Sequence, residues 1–463
     1  MKRSYRFVAY VAVMGLFITG LTLVNPNHFT SIDSGYYLQS ATNLIRGQGY
    51  RFQEHDHLVW NGIFPIGYSA LIALVSALTG VSVLIASKLV NYLALCFFAG
   101  CWIRRLGADR ARWLLSVWWL GGFLKVLAYT WSETLFLVLL AEWVWNVQRF
   151  LVQPSVWRSG ILLGNGYLLF LTRYVGGYVF GLLGVLGSMV WFFPKYSQKW
   201  SGISATRTSY GRLLVVSSLG VIGMGAYFWL NYQLSDSLYG GERFFLTDSA
   251  SELGLLFGQA LVNEWLLIRD FLPDESNQLA WLGLVIQLVV AGIFYWQIRK
   301  KTISIGHLSD LPTLSHAFIL TGFAYLLVLF LLRIVSPYAG PNLRLMAPFT
   351  FCLGSAGAIW VSTLPLDWQR FIRPYWVFLL LCSWLQLLPQ ADFNRKLERI
   401  RAKLLPESFE TRRSNSNQRY RQPLCPHNQP FTSFLAGAEP STPTGTTGLM
   451  KKYKSGMAFR SFA

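Results

Sequence analysis

Residues 7–24 (FVAYVAVMGLFITGLTLV) contain no charge, and runs like this recur along most of the chain. About 20 apolar residues in a helix cover the hydrocarbon of a bilayer, where a single segment must satisfy its own backbone hydrogen bonds. Further runs fall at 82–103, 113–130, 132–150, 159–173, 174–193, 213–232, 279–298, 314–333, 343–363 and 373–390. The expected fold is therefore an all-α polytopic membrane protein with about 11 transmembrane helices. Only 13% of the residues are charged, against about 25% in soluble domains. An ordinary cytosolic enzyme is excluded.

The net charge of +19 would suggest nucleic acid in a soluble protein, but here its placement matters more than its size. Lys2, Arg3 and Arg6 precede the first run, and Arg104, Arg105, Arg110 and Arg112 follow the second. Lys195, Lys199, Arg207 and Arg212 follow the sixth, and Arg299, Lys300 and Lys301 the eighth. Alternating spans from a cytoplasmic N-terminus put all these clusters inside, as the bias of Lys and Arg toward cytoplasmic loops requires. Residues 65–79 are apolar but short for a span, and counting them would push the Arg104–Arg112 cluster outside. They read as a helix at the interface or against the bundle. No nucleic-acid partner is expected.

Two long segments then lie outside, residues 26–81 and 233–278. The second is acidic, and its middle, near 251–271, has the pattern of an amphipathic helix. Residues 391–463 form a basic tail, expected to be disordered in its Pro/Ser/Thr/Gly-rich part. Cys96, Cys101, Cys352 and Cys382 lie in apolar stretches and Cys425 in the tail, with no C-x-x-C pair to suggest zinc or a disulfide framework. Gly220, Gly223 and Gly225 sit inside an apolar run without a preceding strand, so they read as helix-packing positions rather than a nucleotide fingerprint.

The first outer segment holds the candidate chemistry. It reads Thr30-Ser31-Ile32-Asp33-Ser34-Gly35-Tyr36-Tyr37-Leu38-Gln39-Ser40-Ala41-Thr42-Asn43-Leu44, with helical spacing from Tyr37 to Leu44. Asp33 is then either a helix N-cap or a carboxylate placed for proton abstraction. Arg46-Gly47-Gln48-Gly49-Tyr50 follows, then Trp60-Asn61-Gly62-Ile63-Phe64-Pro65-Ile66-Gly67-Tyr68. Glu133 stands at the start of the fourth run, and Arg173, Arg344 and Arg333 at helix ends expected on the same side. His55-Asp56-His57 is a histidine pair in a polar loop, more consistent with solvation than with a metal.

The stretch from Asp33 to Tyr68 resembles the first outer loop of the GT-C superfamily of polyprenyl-phosphate-sugar-dependent membrane glycosyltransferases. Within it the likeness is to glycosyltransferase family 39, the protein O-mannosyltransferases, and to the aminoarabinose transferase of lipid A. Their loop reads D-x-x-x-Y-x-x-x-A-x-N-L-x-x-G-x-G-Y, then P-x-G-Y-P. Ser132-Glu133-Thr134, Leu171-Thr172-Arg173-Tyr174 and Arg344-Leu345-Met346-Ala347-Pro348 extend it more loosely. Ser34 stands where many relatives have a second acid, and Ser69 replaces the last proline.

The resemblance implies inverting transfer of a sugar from a polyprenyl-phosphate donor to an acceptor hydroxyl on a glycan, lipid or protein. The reaction would take place on the extracytoplasmic face of a bacterial-type plasma membrane. Asp33 would be the general base, and Arg344, Arg173 and Arg243 would meet the donor phosphate. Glu133, Tyr37 and Tyr68 would contact substrate. No cofactor is implied, and a divalent metal is disfavoured. The rival readings are a transporter or flippase of lipid-linked saccharides and a non-catalytic membrane scaffold.

Overall fold

The computed structural model describes residues 2–54, 56–192, 207–239, 249–265, 278–299, 311–335 and 340–387. All of them belong to one unit, Met1–Phe393. The tail expected at 391–463, Arg243, and most of the basic residues after the sixth and eighth runs lie outside them.

Among the described residues, five helices are long and apolar enough to cross a membrane. They are α4 (Val83–Leu106), α7 (Glu133–Val152), α10 (Arg207–Ser235), α13 (Leu311–Val335) and α14 (Leu343–Thr363). Burial sorts them: 61% of the apolar stretch of α14 and 56% of that of α7 are buried, against 17% for α10. An apolar helix that leaves Val215, Ile222 and Trp229 uncovered is suited to lipid rather than water. The chain is thus a helical integral membrane protein, with α7 and α14 near its centre.

Between and around these run α1 (Lys2–Val24), α2 (Ile32–Ile45), α3 (Gly67–Thr79), α5 (Ala108–Ser116), α6 (Gly121–Ala128), α8 (Val156–Thr172) and α9 (Tyr178–Phe192). Later come α11 (Ala250–Trp265), α12 (Gln278–Arg299) and α15 (Leu366–Ser383). The amphipathic helix expected near 251–271 corresponds to α11. Ser249 and Glu252 open it reciprocally, Ser249 N donating to Glu252 Oε2 at 2.8 Å and Glu252 N to Ser249 Oγ at 3.3 Å. Those bonds hold the Glu252 carboxyl below its ordinary pKa. Its buried Leu253, Phe257 and Ala260 lie on one face, and α11 packs against α14.

Two expectations need correction. The run at 113–130 is not one spanning helix: it is α5, a 3-10 turn at Val117–Trp119, and α6. Nine and eight residues at 1.5 Å each give only about 12–14 Å, less than half the hydrocarbon thickness. The chain breaks at Leu120, whose backbone is extended, and Gly121 follows directly against the Ser383 carbonyl, where a Cβ could not fit.

The fold is also not wholly α. Residues Arg51–Glu54 (β1) and His57–Trp60 (β2) pair antiparallel, with Arg51 opposite Trp60 and Glu54 opposite His57. This hairpin presents Asp56 and His57 at an exposed tip.

In the glycine-rich run of α10, Gly220 and Gly223 pack against neighbouring helices as expected, whereas Gly225 faces open space. A Cβ at Gly220 would run into Phe180 of α9, and one at Gly223 into Tyr167 of α8.

Candidate functional site

Four charged side chains, brought in by four separate elements, meet at one end of the bundle. Asp33 is in the first turn of α2, and Glu133 is the first residue of α7. Both carboxylates therefore lie where the helix dipole favours negative charge. Asp33 does not cap its helix: Ser31 is the N-cap, and Ser34 Oγ accepts from Ser31 N at 3.0 Å.

Arg344 is the second residue of α14, after the cap Asn342, whose Oδ1 accepts from Arg344 N at 3.1 Å. A cation at a helix N-terminus opposes the dipole, so it needs carboxylates to hold it there. It has two: Arg344 Nη1 donates to Asp33 Oδ2, and Arg344 Nε donates to Glu133 Oε1. Its guanidinium also lies over the Trp131 ring, 5.0 Å from the centroid. Pro348 sits one turn on and has no N–H, so the Arg344 carbonyl receives no helical hydrogen bond from it.

Arg173 ends α8 in an extended conformation, and its Nη1 is 2.6 Å from the same Glu133 Oε1. That contact is an ion pair without a well-aligned hydrogen bond, and Glu133 Oε2 is buried without a hydrogen-bond partner. Glu133 is fully enclosed, while Asp33 keeps 34% of its side chain exposed. Glu133 is thus the dry centre of the cluster, Arg173 and Arg344 are both mostly buried, at 12% and 16%, and Asp33 is the edge open to solvent. Arg333 is buried in the last turn of α13.

Tyr37 and Tyr68 were expected at the substrate, but both rings are completely buried. They meet edge to face at 5.1 Å, and neither presents a surface on which a sugar could stack. The Tyr37 hydroxyl hydrogen-bonds Ser132 Oγ at 3.1 Å, and the Tyr68 hydroxyl donates to Asn91 Oδ1 at 3.2 Å. Burial raises both phenol pKa values. Through Ser132 and Asn91 the two hydroxyls contact the segment that leads into α7. The half-buried Tyr36 and Trp131 are the aromatics nearer the opening.

The segment 127–132, which delivers Glu133, is fastened from several sides. Lys88 Nζ donates to the Ala128 carbonyl at 2.6 Å and to that of Phe29 at 3.3 Å. Asn91 Nδ2 donates to Leu127 O and Tyr129 O, and Ser34 Oγ donates to Thr130 O at 2.9 Å. Trp131 Nε1 donates to Ser31 Oγ at 2.8 Å. The turn before α2 needs left-handed backbone at His28 and Phe29, and the Phe29 carbonyl accepts from Thr130 N at 3.0 Å. The loops holding the two acids are therefore bound to each other. Lys88 and Trp131 had no role in the sequence reading; a lone lysine within an apolar span is the signal that marks Lys88.

A second network ties the β-hairpin to α10. Trp60 Nε1 donates to Asn231 Oδ1 at 3.0 Å, and Asn231 Nδ2 donates to the Tyr174 hydroxyl at 2.8 Å. The Tyr174 hydroxyl donates in turn to Gly62 O at 2.9 Å.

Fold and cluster together define a helical membrane protein with a charged, partly open site at one end of its bundle. No protein-family model matches the chain, and no curated protein matches it in sequence. Among solved structures it is similar to ArnT from Cupriavidus metallidurans bound to undecaprenyl phosphate, with a TM-score of 0.44 and 13% identity. That likeness covers 80% of this chain and 62% of the other, so the chain spans less than two thirds of that protein's length. The apo state of the same ArnT gives a TM-score of 0.36 and 13% identity, over 79% and 78% of the two chains.

Proposed function

We propose that this protein is a GT-C-like glycosyltransferase that moves a sugar from a polyprenyl-phosphate donor to an acceptor hydroxyl at the extracytoplasmic membrane surface. One observation carries the reading. Arg344 bridges Asp33 and Glu133 at the end of the bundle opposite Arg105 and Arg149, with Asp33 still reaching solvent.

The chemistry needs a base and a fixed cation. The acceptor oxygen attacks the anomeric carbon and passes its proton to the Asp33 carboxylate. The bond from the anomeric carbon to the phosphate oxygen breaks, and polyprenyl phosphate leaves with its added charge facing Arg344. Before donor binds, Arg344 neutralises Asp33. A lipid phosphate competing for the same guanidinium would draw it from Asp33 and release that carboxylate as a base. Glu133 keeps Arg344 in place during this exchange, and Arg173 balances Glu133 from behind. On this reading the donor phosphate meets Arg344, and Arg173 is a supporting cation; their shared contact with Glu133 supports it.

The test is transfer in proteoliposomes holding the full chain, a polyprenyl-phosphate sugar and candidate acceptor hydroxyls. Glycosylated acceptor and free polyprenyl phosphate should appear together. Movement of the intact donor across the bilayer, without release of polyprenyl phosphate, would replace transfer with transport.

A further inference from the structure

At the other end of the bundle, the close of α7 and the start of α8 border a cleft of about 270 Å³ lined by Asn146, Arg149, Arg158 and Ile161. Arg149 lies 16 residues beyond Glu133 on one helix, about 24 Å along its axis. This cleft therefore belongs to the opposite membrane face from the Asp33 cluster.

Neither arginine meets a carboxylate among the described residues. Arg149 is exposed and rests over the Trp145 ring at 4.9 Å. Arg158 is fixed by neutral acceptors: the Arg149 carbonyl at 2.9 Å, the Gln153 carbonyl at 2.5 Å and Gln153 Oε1 at 2.7 Å. Its orientation is set while its charge stays uncompensated. Two positive charges and the N-terminus of the 17-residue helix α8 thus share one concave space. Arg105, of the basic cluster expected on the cytoplasmic side, is different, because Glu142 binds it bidentately at 2.7 and 2.5 Å.

The surroundings are apolar. Val156 and Trp157 are about three-quarters exposed, at 75% and 77%, and an exposed indole beside basic residues marks the interface of a membrane. From Trp157 an exposed strip continues along α8 through Gly160, Gly164 and Leu168, with open space where a Cβ at either glycine would stand.

We infer that the Arg149–Arg158 cleft binds the phosphodiester headgroup of an anionic phospholipid, with an acyl chain lying along the Trp157–Leu168 strip. Small-molecule pockets usually enclose about 300–1,000 Å³, so this one suits a headgroup rather than a whole lipid. Basic pockets between membrane helices on the cytoplasmic side are suited to such headgroups. Free phosphate would account for the arginines but not for the apolar strip that continues from them.

Native mass spectrometry of the full chain in detergent, with phosphatidylglycerol, phosphatidylcholine or inorganic phosphate added, tests this directly. Phosphatidylglycerol should occupy the protein several-fold more than phosphatidylcholine. Arg149→Gln should weaken its binding about fivefold, the effect of one basic residue near an anionic headgroup. Arg149 makes no described hydrogen bond through its side chain, so this variant keeps the fold. Arg370→Gln, an exposed change beyond the same end of α14, should leave binding unchanged. Equal occupancy by the two lipids, or full binding by Arg149→Gln, overturns the site. Displacement of phosphatidylglycerol by millimolar inorganic phosphate overturns its assignment to a lipid.

Discussion

Arg344 and Glu133 are 211 residues apart in sequence, yet Arg344 Nε donates to the same Glu133 oxygen that Arg173 approaches from the other side. One buried carboxylate oxygen thus joins the starts of α7 and α14 to the end of α8. Among the described residues, the Asp33 carboxylate joins this centre through Arg344. The electrostatic core of the site is Glu133, and Asp33 is its exposed edge.

Asp33→Asn separates chemistry from structure. The amide keeps an oxygen for Arg344 but cannot take up a proton at neutral pH. Transfer should fall by about 10²–10⁴-fold, the usual contribution of a placed general base. Donor affinity should rise, because the phosphate no longer competes with a carboxylate for Arg344, and thermal stability should stay near wild type, since Asp33 is one-third exposed and Glu133 still holds Arg344. Single-turnover transfer beside equilibrium binding of the polyprenyl-phosphate sugar reads both. Wild-type transfer by this variant removes Asp33 from the mechanism.

Glu133→Ala should be the most damaging single change at the site for folding. It leaves Arg173 and Arg344 as buried or half-buried cations without their shared partner. Removing one member of a buried pair costs about 3–5 kcal/mol. The double variant Glu133→Ala/Arg173→Met should lose clearly less than the sum of the two single losses, because the second change removes the cation the first one stranded. Chemical unfolding of all three variants gives the coupling. Additive losses would show that the 2.6 Å contact contributes little.

The sequence revealed the spans better than the site. Apolar length and basic clusters suffice to find α4, α7, α10, α13 and α14, because bilayer thickness acts on a single segment. They cannot show that 113–130 breaks, since that depends on Gly121 meeting Ser383, 262 residues away. Asp33, Glu133, Arg173 and Arg344 were each visible as costly charges at helix ends. Their contacts were not: that Arg173 and Arg344 approach one Glu133 oxygen shows only once α7, α8 and α14 are packed together. Tyrosines in an outer loop suit an interface or a sugar equally, and only packing shows Tyr37 and Tyr68 enclosed. The hairpin at 51–60 was missed because its turn lacks glycine or asparagine and only Phe52 in β1 is buried.

Tyr37→Phe tests the correction made for the aromatic residues. If the ring braces Ser132 rather than contacting sugar, removing its hydroxyl costs one neutral hydrogen bond, about 1 kcal/mol of stability. The KM for donor should stay within about twofold, far below the tenfold that 1.4 kcal/mol of lost binding would produce. Thermal unfolding and steady-state transfer at varied donor concentration distinguish the two roles. A large rise in KM with unchanged stability would return Tyr37 to the substrate.

Lys88 should act on catalysis without touching substrate. Its ammonium group joins the Ala128 and Phe29 carbonyls, which lie in the two loops that carry Glu133 and Asp33. Lys88→Met keeps the side-chain length and removes the donor to the Ala128 carbonyl, a loss of about 1–3 kcal/mol in a buried setting, while Thr130 N still serves the Phe29 carbonyl. Lys88→Arg can donate to both and should recover most of that stability. If the lysine fixes the spacing of the acids, Lys88→Met lowers kcat while the KM for donor is little changed, and Lys88→Arg restores kcat in part. A purely structural role predicts a different pattern: fewer folded molecules, each turning over at the wild-type rate once activity is normalised to folded protein. Normalised kcat for Lys88→Met, measured below its melting temperature, decides between them.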